Sequence, residues 1–315
     1  MKKFVKNFCL FLGILAIIII SLILLDRFVA KNQYEGSYTA AIQDKLERLK
    51  SLDSPKIVIV GNSNLAFGIN SELIENELEM PVVNLGLHGG IGDAYYEELI
   101  KPYIEEGDIV IIAPSSMEGD EKFPDPSLAF TMLEKNEELW RCFDLKEDYE
   151  LFRAYPYYLY SSLARFITFT GNKGERTSYS RDAFNEYGDI VKRPEEYQKS
   201  TQELFENTTS LKVPTPDAEF YKRINSLNDY VSSKGAALLL AAYPIADCSN
   251  TPDMQEYKNL ERTLDENLEC EIISSYEDYM MSPSLFYDTV LHLTSEGADV
   301  RTLQLISDIK AYLNK

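Results

Sequence analysis

The strongest constraint on the fold of this chain is a series of short, almost continuously apolar segments. Three of them, at residues 56–60, 82–85 and 109–113, alternate with stretches whose apolar residues recur at helical spacing. Strands that are apolar on both sides occur in parallel sheets whose two faces are both covered by helices. The first part of the chain therefore predicts an α/β fold built on a mostly parallel sheet.

The same alternation returns in the last third of the chain. Helices and strands are predicted in turn at residues 218–233, 236–242, 254–267, 269–274 and 295–313. Before them, residues 115–216 contain prolines, tyrosines and charged helical segments. We interpret this stretch as a largely helical insertion in one domain of residues 55–315, because the sheet pattern resumes after it. Its tyrosine-rich run, residues 155–160, has two interpretations: a carbohydrate-binding cleft, or the packing of a helix on the sheet.

An uncharged apolar run precedes this domain. At about 1.5 Å per residue, residues 8–25 would reach roughly 27 Å, close to the thickness of the hydrocarbon core of a bilayer. The lysines in residues 1–7 predict a cytoplasmic N-terminus and an extracytoplasmic domain. A cleaved signal peptide is the alternative, but the run is long for one and residues 28–30 make a poor cleavage site. We therefore predict a single-pass cell-membrane anchor, followed by a linker and an amphipathic helix in residues 26–54.

The composition bears on the partners of the chain. Lys plus Arg number 31 against 51 Asp plus Glu, a formal net charge of −20, which would repel nucleic acid. No Cys/His cluster has the spacing of metal ligands, so neither a metal nor a cofactor is predicted. Of the cysteines in the exported part, Cys248 and Cys270 are nearest in sequence. A disulfide between them and a set of free thiols both stay open.

Residues with catalytic chemistry follow the first predicted strand. In Gly61-Asn62-Ser63-Asn64 the glycine permits a sharp turn, which would place Ser63 at the edge of the sheet where open α/β folds bind ligands. The chain has only two histidines, and one of them, His292, follows Asp288 closely. A serine hydroxyl needs a base to become nucleophilic, and a carboxylate orients that base. We predict Ser63 as nucleophile, His292 as base and Asp288 as its orienting carboxylate.

These residues resemble the sequence blocks of the SGNH/GDSL hydrolases, in particular of their membrane-anchored bacterial cell-surface members. Gly61-Asn62-Ser63 is similar to the Gly-Asp-Ser block of that family, and Asn84-Leu85-Gly86 is similar to its second block. Asp288 with His292 is similar to its C-terminal Asp-x-x-His block. Asn62 stands where the family has Asp. The family's Gly-x-Asn-Asp block, expected after the third strand, is missing. The resemblance covers about residues 55–114 and 236–315.

The resemblance implies a fold and a set of site residues. The fold is the flavodoxin-like, three-layer α/β/α SGNH hydrolase fold with a mostly parallel sheet. The site is a Ser-His-Asp triad whose oxyanion hole is formed by the backbone amides of Ser63 and Gly86. Asn62, Asn64 and His88 are candidate substrate contacts beside them.

The same resemblance implies a function on the outer face of the membrane. It is that of a serine esterase or O-acyltransferase acting on acyl esters of a cell-envelope glycan or polymer. A membrane-bound acyltransferase is a further expected partner. The alternative is a non-catalytic SGNH-fold accessory or binding protein of a cell-surface polymer modification system, a hypothesis motivated by Asn62 and by the missing Asn block.

Overall fold

The computed structural model describes residues 1–119, 125–134, 136–170, 177–206 and 211–314. The predicted insertion is thus described in part, since residues 120–124, 135, 171–176 and 207–210 lie outside these ranges. The described chain consists of one long N-terminal apolar helix and a mixed α/β domain with a parallel sheet.

The helices and strands are named in chain order. The helices are α1 (Lys2–Leu25), α2 (Ile42–Ser51), α3 (Ser63–Gly68), α4 (Ser71–Leu78), α5 (Asp93–Ile100), α6 (Pro126–Leu133), α7 (Leu145–Ile167), α8 (Thr201–Phe205), α9 (Ala218–Ser233), α10 (Met254–Asn267) and α11 (Ser295–Leu313). The strands are β1 (Ile57–Val60), β2 (Val82–Asn84), β3 (Ile109–Ile112), β4 (Ala237–Leu240), β5 (Ile245–Ala246), β6 (Glu271–Ile272) and β7 (Met280–Met281).

The main sheet has five strands in the order β2-β1-β3-β4-β6, and every neighbouring pair is parallel. Counted within this sheet the order is 2-1-3-4-5, as in flavodoxin-like doubly wound folds. A short parallel pair, β5 and β7, lies outside it. Because the strands share one direction, their carboxyl ends form a single edge. β1, which lies between β2 and β3, delivers residue 61 and those after it to that edge.

Both faces of the sheet are covered, as predicted. Alternate residues point to opposite faces of a strand. Val58 and Val60 therefore join one core with residues of α2, α5, α9 and α10. Ile57 and Ile59 join a second core with Ile74 of α4 and with the apolar face of α11. Burial on two faces explains why the strands are continuously apolar instead of alternating.

The predicted helices α2, α4, α9, α10 and α11 are all present, and the strands are shorter than the patterns suggested. In the described residues, the insertion contains α6, a short 3-10 helix at Glu137–Cys142 and α7, which runs through Pro156. The tyrosine-rich run lies within α7, where Tyr158 stacks on Phe130 of α6. This contact favours helix packing over a cleft. After α7, residues 178–194 form turns, a short 3-10 helix and isolated bridges, and they bond to the end of β2 and to α3, which the helical interpretation did not foresee.

The apolar run is helical and exposed. No residue of α1 is buried against the domain, and the segment Lys2–Ala30 has a mean hydropathy of 3.2 over its most apolar window. It is long and apolar enough to cross a membrane. The predicted span, residues 8–25, lies inside this helix. The four cysteines are free thiols, including Cys248 and Cys270.

A buried ion pair fixes the opposite edge of the sheet and gives a test of the fold. Lys56 Nζ lies 2.9 Å from Asp108 Oδ2, and both side chains are almost completely buried. Asp108 also accepts hydrogen bonds from the Lys56 and Glu105 amides. We expect Asp108→Ala to lower the free energy of unfolding by about 3–5 kcal/mol, because it leaves a buried cation without a partner. Urea denaturation of the full chain in detergent measures it.

The matched control removes both charges. Lys56→Met combined with Asp108→Leu replaces the pair by apolar side chains of similar size and should cost clearly less than Asp108→Ala alone. A double variant as unstable as the single one would show that the lost amide hydrogen bonds of Asp108, and not the unpaired charge, determine the loss.

Candidate active site

Ser63 lies where β1 ends and α3 begins. β1 ends at Val60, and Gly61 has a φ of +150°, which starts the turn. Asn62 caps α3 by accepting a hydrogen bond from the Asn64 amide at 3.1 Å. Ser63 is then the first residue of α3, at the carboxyl edge of the sheet, which is where the sequence pattern placed it.

The three residues of the predicted triad come together. Ser63 Oγ and His292 Nε2 are 2.8 Å apart, and His292 Nδ1 and Asp288 Oδ1 are also 2.8 Å apart. Asp288 and His292 share a loop that is closed by a bridge between Phe286 and Leu293. Because this loop directly precedes α11, the packing of α11 on the sheet carries the histidine to the serine.

Two residues that the sequence analysis missed hold the imidazole in place. Phe67 of α3 stacks on the His292 ring, with ring centroids 4.0 Å apart and planes 5° from parallel. Tyr179 donates its hydroxyl to Asp288 Oδ2 at 2.5 Å. Tyr179 comes from the predicted insertion, where no sequence motif marks it. Phe67 lies one helical turn after Ser63, and this spacing is the one feature of the sequence that could have indicated its place beside the site.

Hydrogen bonding determines the charge of Asp288. Burial alone would raise the pKa of this carboxyl, but hydrogen bonds from His292 and Tyr179 outweigh it and hold the pKa below its ordinary value. Burial and the nearby carboxylate raise the pKa of Tyr179 above its ordinary range, so its hydroxyl stays protonated and donates. Asp288 is therefore an anion that can stabilise a cationic imidazolium on His292.

Gly86, the predicted oxyanion donor, is engaged elsewhere. Its amide donates to Asn84 Oδ1 at 2.8 Å. The residue is buried under α3, so close that a Cβ there would lie 2.7 Å from the Ala66 amide nitrogen. The predicted role of Gly86 is corrected accordingly. The glycine beside the serine is Gly89, because the chain between these two glycines leaves the sheet edge and turns toward Asn62.

A cavity of about 350 Å³ opens beside Ser63. It is lined by Asn62, Ser63, Gly89, Gly92, Asp93, Ala94, Ser115, Ser116, Glu118, Gly119, Arg223 and Leu291. Ser115 follows the third strand, where the SGNH family has its Asn block, and Asn62 Nδ2 lies 3.3 Å from its Oγ. Within the described chain, the Ser63 and Gly89 amides donate to no other protein atom. The cavity is thus polar, and two uncommitted N–H groups flank the nucleophile.

The other predicted substrate contacts differ in position. Asn62 lines the cavity, as expected. Asn64 is fully buried below it, so a substrate cannot reach its side chain, and that expectation is corrected. The His88 ring accepts a hydrogen bond from the Gly90 amide at 2.9 Å and packs edge-on against Tyr38. His88 therefore shapes the glycine-rich turn from behind the cavity.

Arg301 of α11 is a buried cation beneath the nucleophile turn. It donates to the Asn64 carbonyl oxygen at 2.8 Å, and to Asn64 Oδ1 and the Ala242 carbonyl oxygen at 3.1 Å. Burial lowers its pKa to about 10. Gly68 leaves room for it, since a Cβ at that position would clash with the guanidinium. Arg301 therefore joins α11, which delivers His292, to α3, which carries Ser63.

This role of Arg301 predicts a loss of stability on truncation. Arg301→Met removes the guanidinium donors from the buried Asn64 and Ala242 carbonyl oxygens, so we expect the free energy of unfolding to fall by about 2–4 kcal/mol. Urea denaturation measures the change. Arg262→Met, at an exposed position on α10, is the control and should change it by less than about 0.5 kcal/mol. Equal effects of the two substitutions would contradict the role assigned to Arg301.

The cavity carboxylate Asp93 predicts a pH effect. Burial raises the pKa of Asp93 to about 6, although Arg223 opposes the shift. A pKa that is higher in the folded than in the unfolded chain means that stability falls as pH rises from the unfolded toward the folded value. Asp93→Asn removes this cost. The variant should thus gain about 1–3 kcal/mol over the wild type between pH 4 and pH 7.

The measurement for Asp93 is urea denaturation across that pH range. Asp229→Asn, at an exposed position on α9, serves as the control for losing one carboxylate. A stability difference between the Asp93→Asn chain and the wild type that does not change with pH would contradict the prediction.

The comparisons with known proteins add no relative. No protein-family model matches the chain, and a search of the curated proteins finds no similar sequence. The likeness to the SGNH/GDSL hydrolases rests on the block residues around Ser63 and His292.

Proposed function

We propose that this chain is a membrane-anchored, extracytoplasmic serine esterase or O-acyltransferase of the SGNH type. The observation that carries the proposal is the continuous hydrogen-bonded series from Ser63 through His292 to Asp288, with both links at 2.8 Å. A base at hydrogen-bond distance from a serine, itself oriented by a carboxylate, is the arrangement that nucleophilic catalysis requires. The polar cavity next to Ser63 gives an ester room to bind.

The proposed reaction has two steps. Ser63 Oγ attacks the acyl carbon while His292 Nε2 takes its proton, and the anionic tetrahedral intermediate is held by the Ser63 and Gly89 amides. His292 then gives the proton to the leaving alcohol, which leaves an acyl-serine. In the second step water or a sugar hydroxyl attacks that ester, again with His292 as base, and the acyl group passes to water or to the new acceptor.

Tyr179 and Phe67 have supporting roles in this scheme. When His292 becomes cationic, the adjacent Asp288 carboxylate stabilises it, and Tyr179 keeps that carboxylate ionised and oriented. Phe67 restricts rotation of the imidazole by stacking on it. The ring therefore stays in line with Ser63 Oγ through both proton transfers.

The substrate is proposed from location and from the polarity of the cavity. An acyl ester on a cell-envelope glycan or polymer would reach a domain tethered to the outer face of the membrane, and the serines and charged groups of the cavity suit a hydroxyl-rich acceptor. A membrane-bound acyltransferase is a candidate source of the acyl group. These two assignments rest on the family resemblance.

A second candidate is a non-catalytic accessory or binding protein. Asn62 in place of an acid and Ser115 in place of the Asn block favour it. Losing one donor of an oxyanion hole reduces rates by about 10²–10³, so a site with two donors could be a poor catalyst.

Covalent labelling separates the two candidates. We expect a fluorophosphonate to label the full chain in detergent at Ser63, with intact mass and peptide mapping as the readout. Ser63→Ala and His292→Ala should abolish the labelling, and Asp288→Asn should slow it by about 10²–10⁴. Hydrolysis of a short-chain aryl ester should follow the same order.

The matched control is Ser115→Ala, which removes another cavity serine and should leave the chain reactive. Absence of labelling in the wild type, together with ester turnover no faster than in Ser63→Ala, would favour the accessory role. Labelling at Ser115 in place of Ser63 would contradict the assigned nucleophile.

A further inference from the structure

The long helix α7 carries an exposed apolar face. Its exposed large apolar residues lie on one side of the helix, within an arc of about 140° at about 100° per residue. This face, here the α7 stripe, consists of Leu145 (87% exposed), Tyr149 (60%), Phe152 (77%), Tyr157 (69%), Tyr160 (71%) and Ile167 (70%). A run of this length, in a domain whose other apolar residues are mostly buried, is unusual for a surface that faces only water.

The opposite side of α7 packs against the rest of the domain. Leu151 is buried in the main core, and Tyr155 and Tyr158 pack against Phe130 of α6. The α7 stripe is therefore surplus to domain packing, since the helix already has a complete apolar contact surface without it.

The position of α7 relative to α1 indicates what covers the stripe. Asp26 is the first residue after α1, and it accepts a hydrogen bond from the Ser162 hydroxyl of α7. Both side chains are buried. In the next turn of α7, Arg165 lies over the ring of Tyr34, at 4.9 Å from its centroid. The C-terminal part of α7 is thus attached to the segment through which the apolar helix enters the domain.

Distances along the helix put the C-terminal end of the stripe close to the end of α1. Ile167 lies about 7–8 Å along the α7 axis from Ser162, and Tyr160 lies about 3 Å away in the other direction. If α1 spans the membrane, its end at Leu25 marks the boundary of the hydrocarbon core. The C-terminal end of α7 is then within a few ångströms of the lipid headgroups.

We propose that the α7 stripe lies in the headgroup–acyl boundary of the same bilayer that α1 crosses. The inference rests on the membrane anchoring that is part of the proposed function. Tyrosine and phenylalanine suit this boundary because their rings are apolar and the tyrosine hydroxyl reaches water. The flanking Lys146 and Arg153 have exposed side chains that can extend to the phosphates.

A second membrane contact constrains the active site. A single helix would leave the domain free to rotate about its tether, whereas α1 and α7 together fix one orientation. The Ser63 cavity is then held at one height and direction relative to the bilayer. Esters that the serine reaches are those on polymer or lipid-linked material close to the membrane surface.

Single-tryptophan quenching tests the proposal. Trp140 is the one tryptophan of the chain, so Trp140→Phe gives a variant without tryptophan fluorescence. Into it we place, one at a time, Phe152→Trp and Ile167→Trp in the stripe. Leu303→Trp is the control, because it is 57% exposed on α11, across the sheet from α6 and α7. Leu15→Trp in α1 reports membrane insertion. The full-length variants are reconstituted in phosphatidylcholine vesicles, with or without brominated acyl chains.

We expect emission from the Leu15→Trp, Ile167→Trp and Phe152→Trp chains to be lost in brominated vesicles, and emission from the Leu303→Trp chain to be kept. Quenching at position 15 but not at 152 and 167 would overturn the membrane contact of α7, and the stripe would then have to dock on another protein. No quenching at position 15 would overturn the anchoring and the inference with it. Fluorophosphonate labelling of Ser63 in the same vesicles reports the proposed catalysis separately.

Discussion

The candidate active site depends on one contact, the hydrogen bond between Ser63 Oγ and His292 Nε2. Ser63 is the first residue of α3, just after the first strand, and His292 lies in the loop before the last helix, so no local preference can bring them together. What brings them together is the packing of α11 on the same face of the sheet as α3 and α4. Arg301 strengthens that packing by bonding carbonyl oxygens of both the serine turn and the end of β4.

Residues 178–194 of the insertion are bound to the sheet edge by buried polar groups. Asp189 accepts hydrogen bonds from Ser71 and from the side chain of Asn84. Lys45 of α2 donates to the carbonyl oxygens of Asn84 and Gly188, and burial lowers its pKa to about 7. These hydrogen bonds are short, and each of the named buried groups has a partner. A buried polar network that is paired in this way favours a single arrangement of the chain. They hold in place the segment that contributes Tyr179 to the site.

Two distant parts of the insertion therefore bear on the site in different ways. Residues 178–194 supply the hydrogen bond from Tyr179 to Asp288, which helps to keep that carboxylate ionised. Its long helix α7 contacts the end of α1 and would determine how the domain sits on a membrane. A domain without the insertion would lack both contacts.

The sequence by itself determined the features that depend on local pattern. Continuous apolar strands alternating with amphipathic helices specify a parallel sheet covered on both faces, and residues that follow such strands must lie at its carboxyl edge. Ser63 was identifiable for that reason. His292 and Asp288 were identifiable because the chain has only two histidines and one of them closely follows an aspartate. The apolar run of residues 8–25 needs only length and composition. Tertiary structure alone decided which glycine flanks the serine, because the side chain of Asn84 captures the Gly86 amide and the following turn brings Gly89 to the cavity. It likewise decided the burial of Asn64 and the roles of Tyr179 and Arg301. Each of these depends on contacts between residues far apart in the chain, whose partners are set by strand order and loop path and not by the periodicity of any one segment.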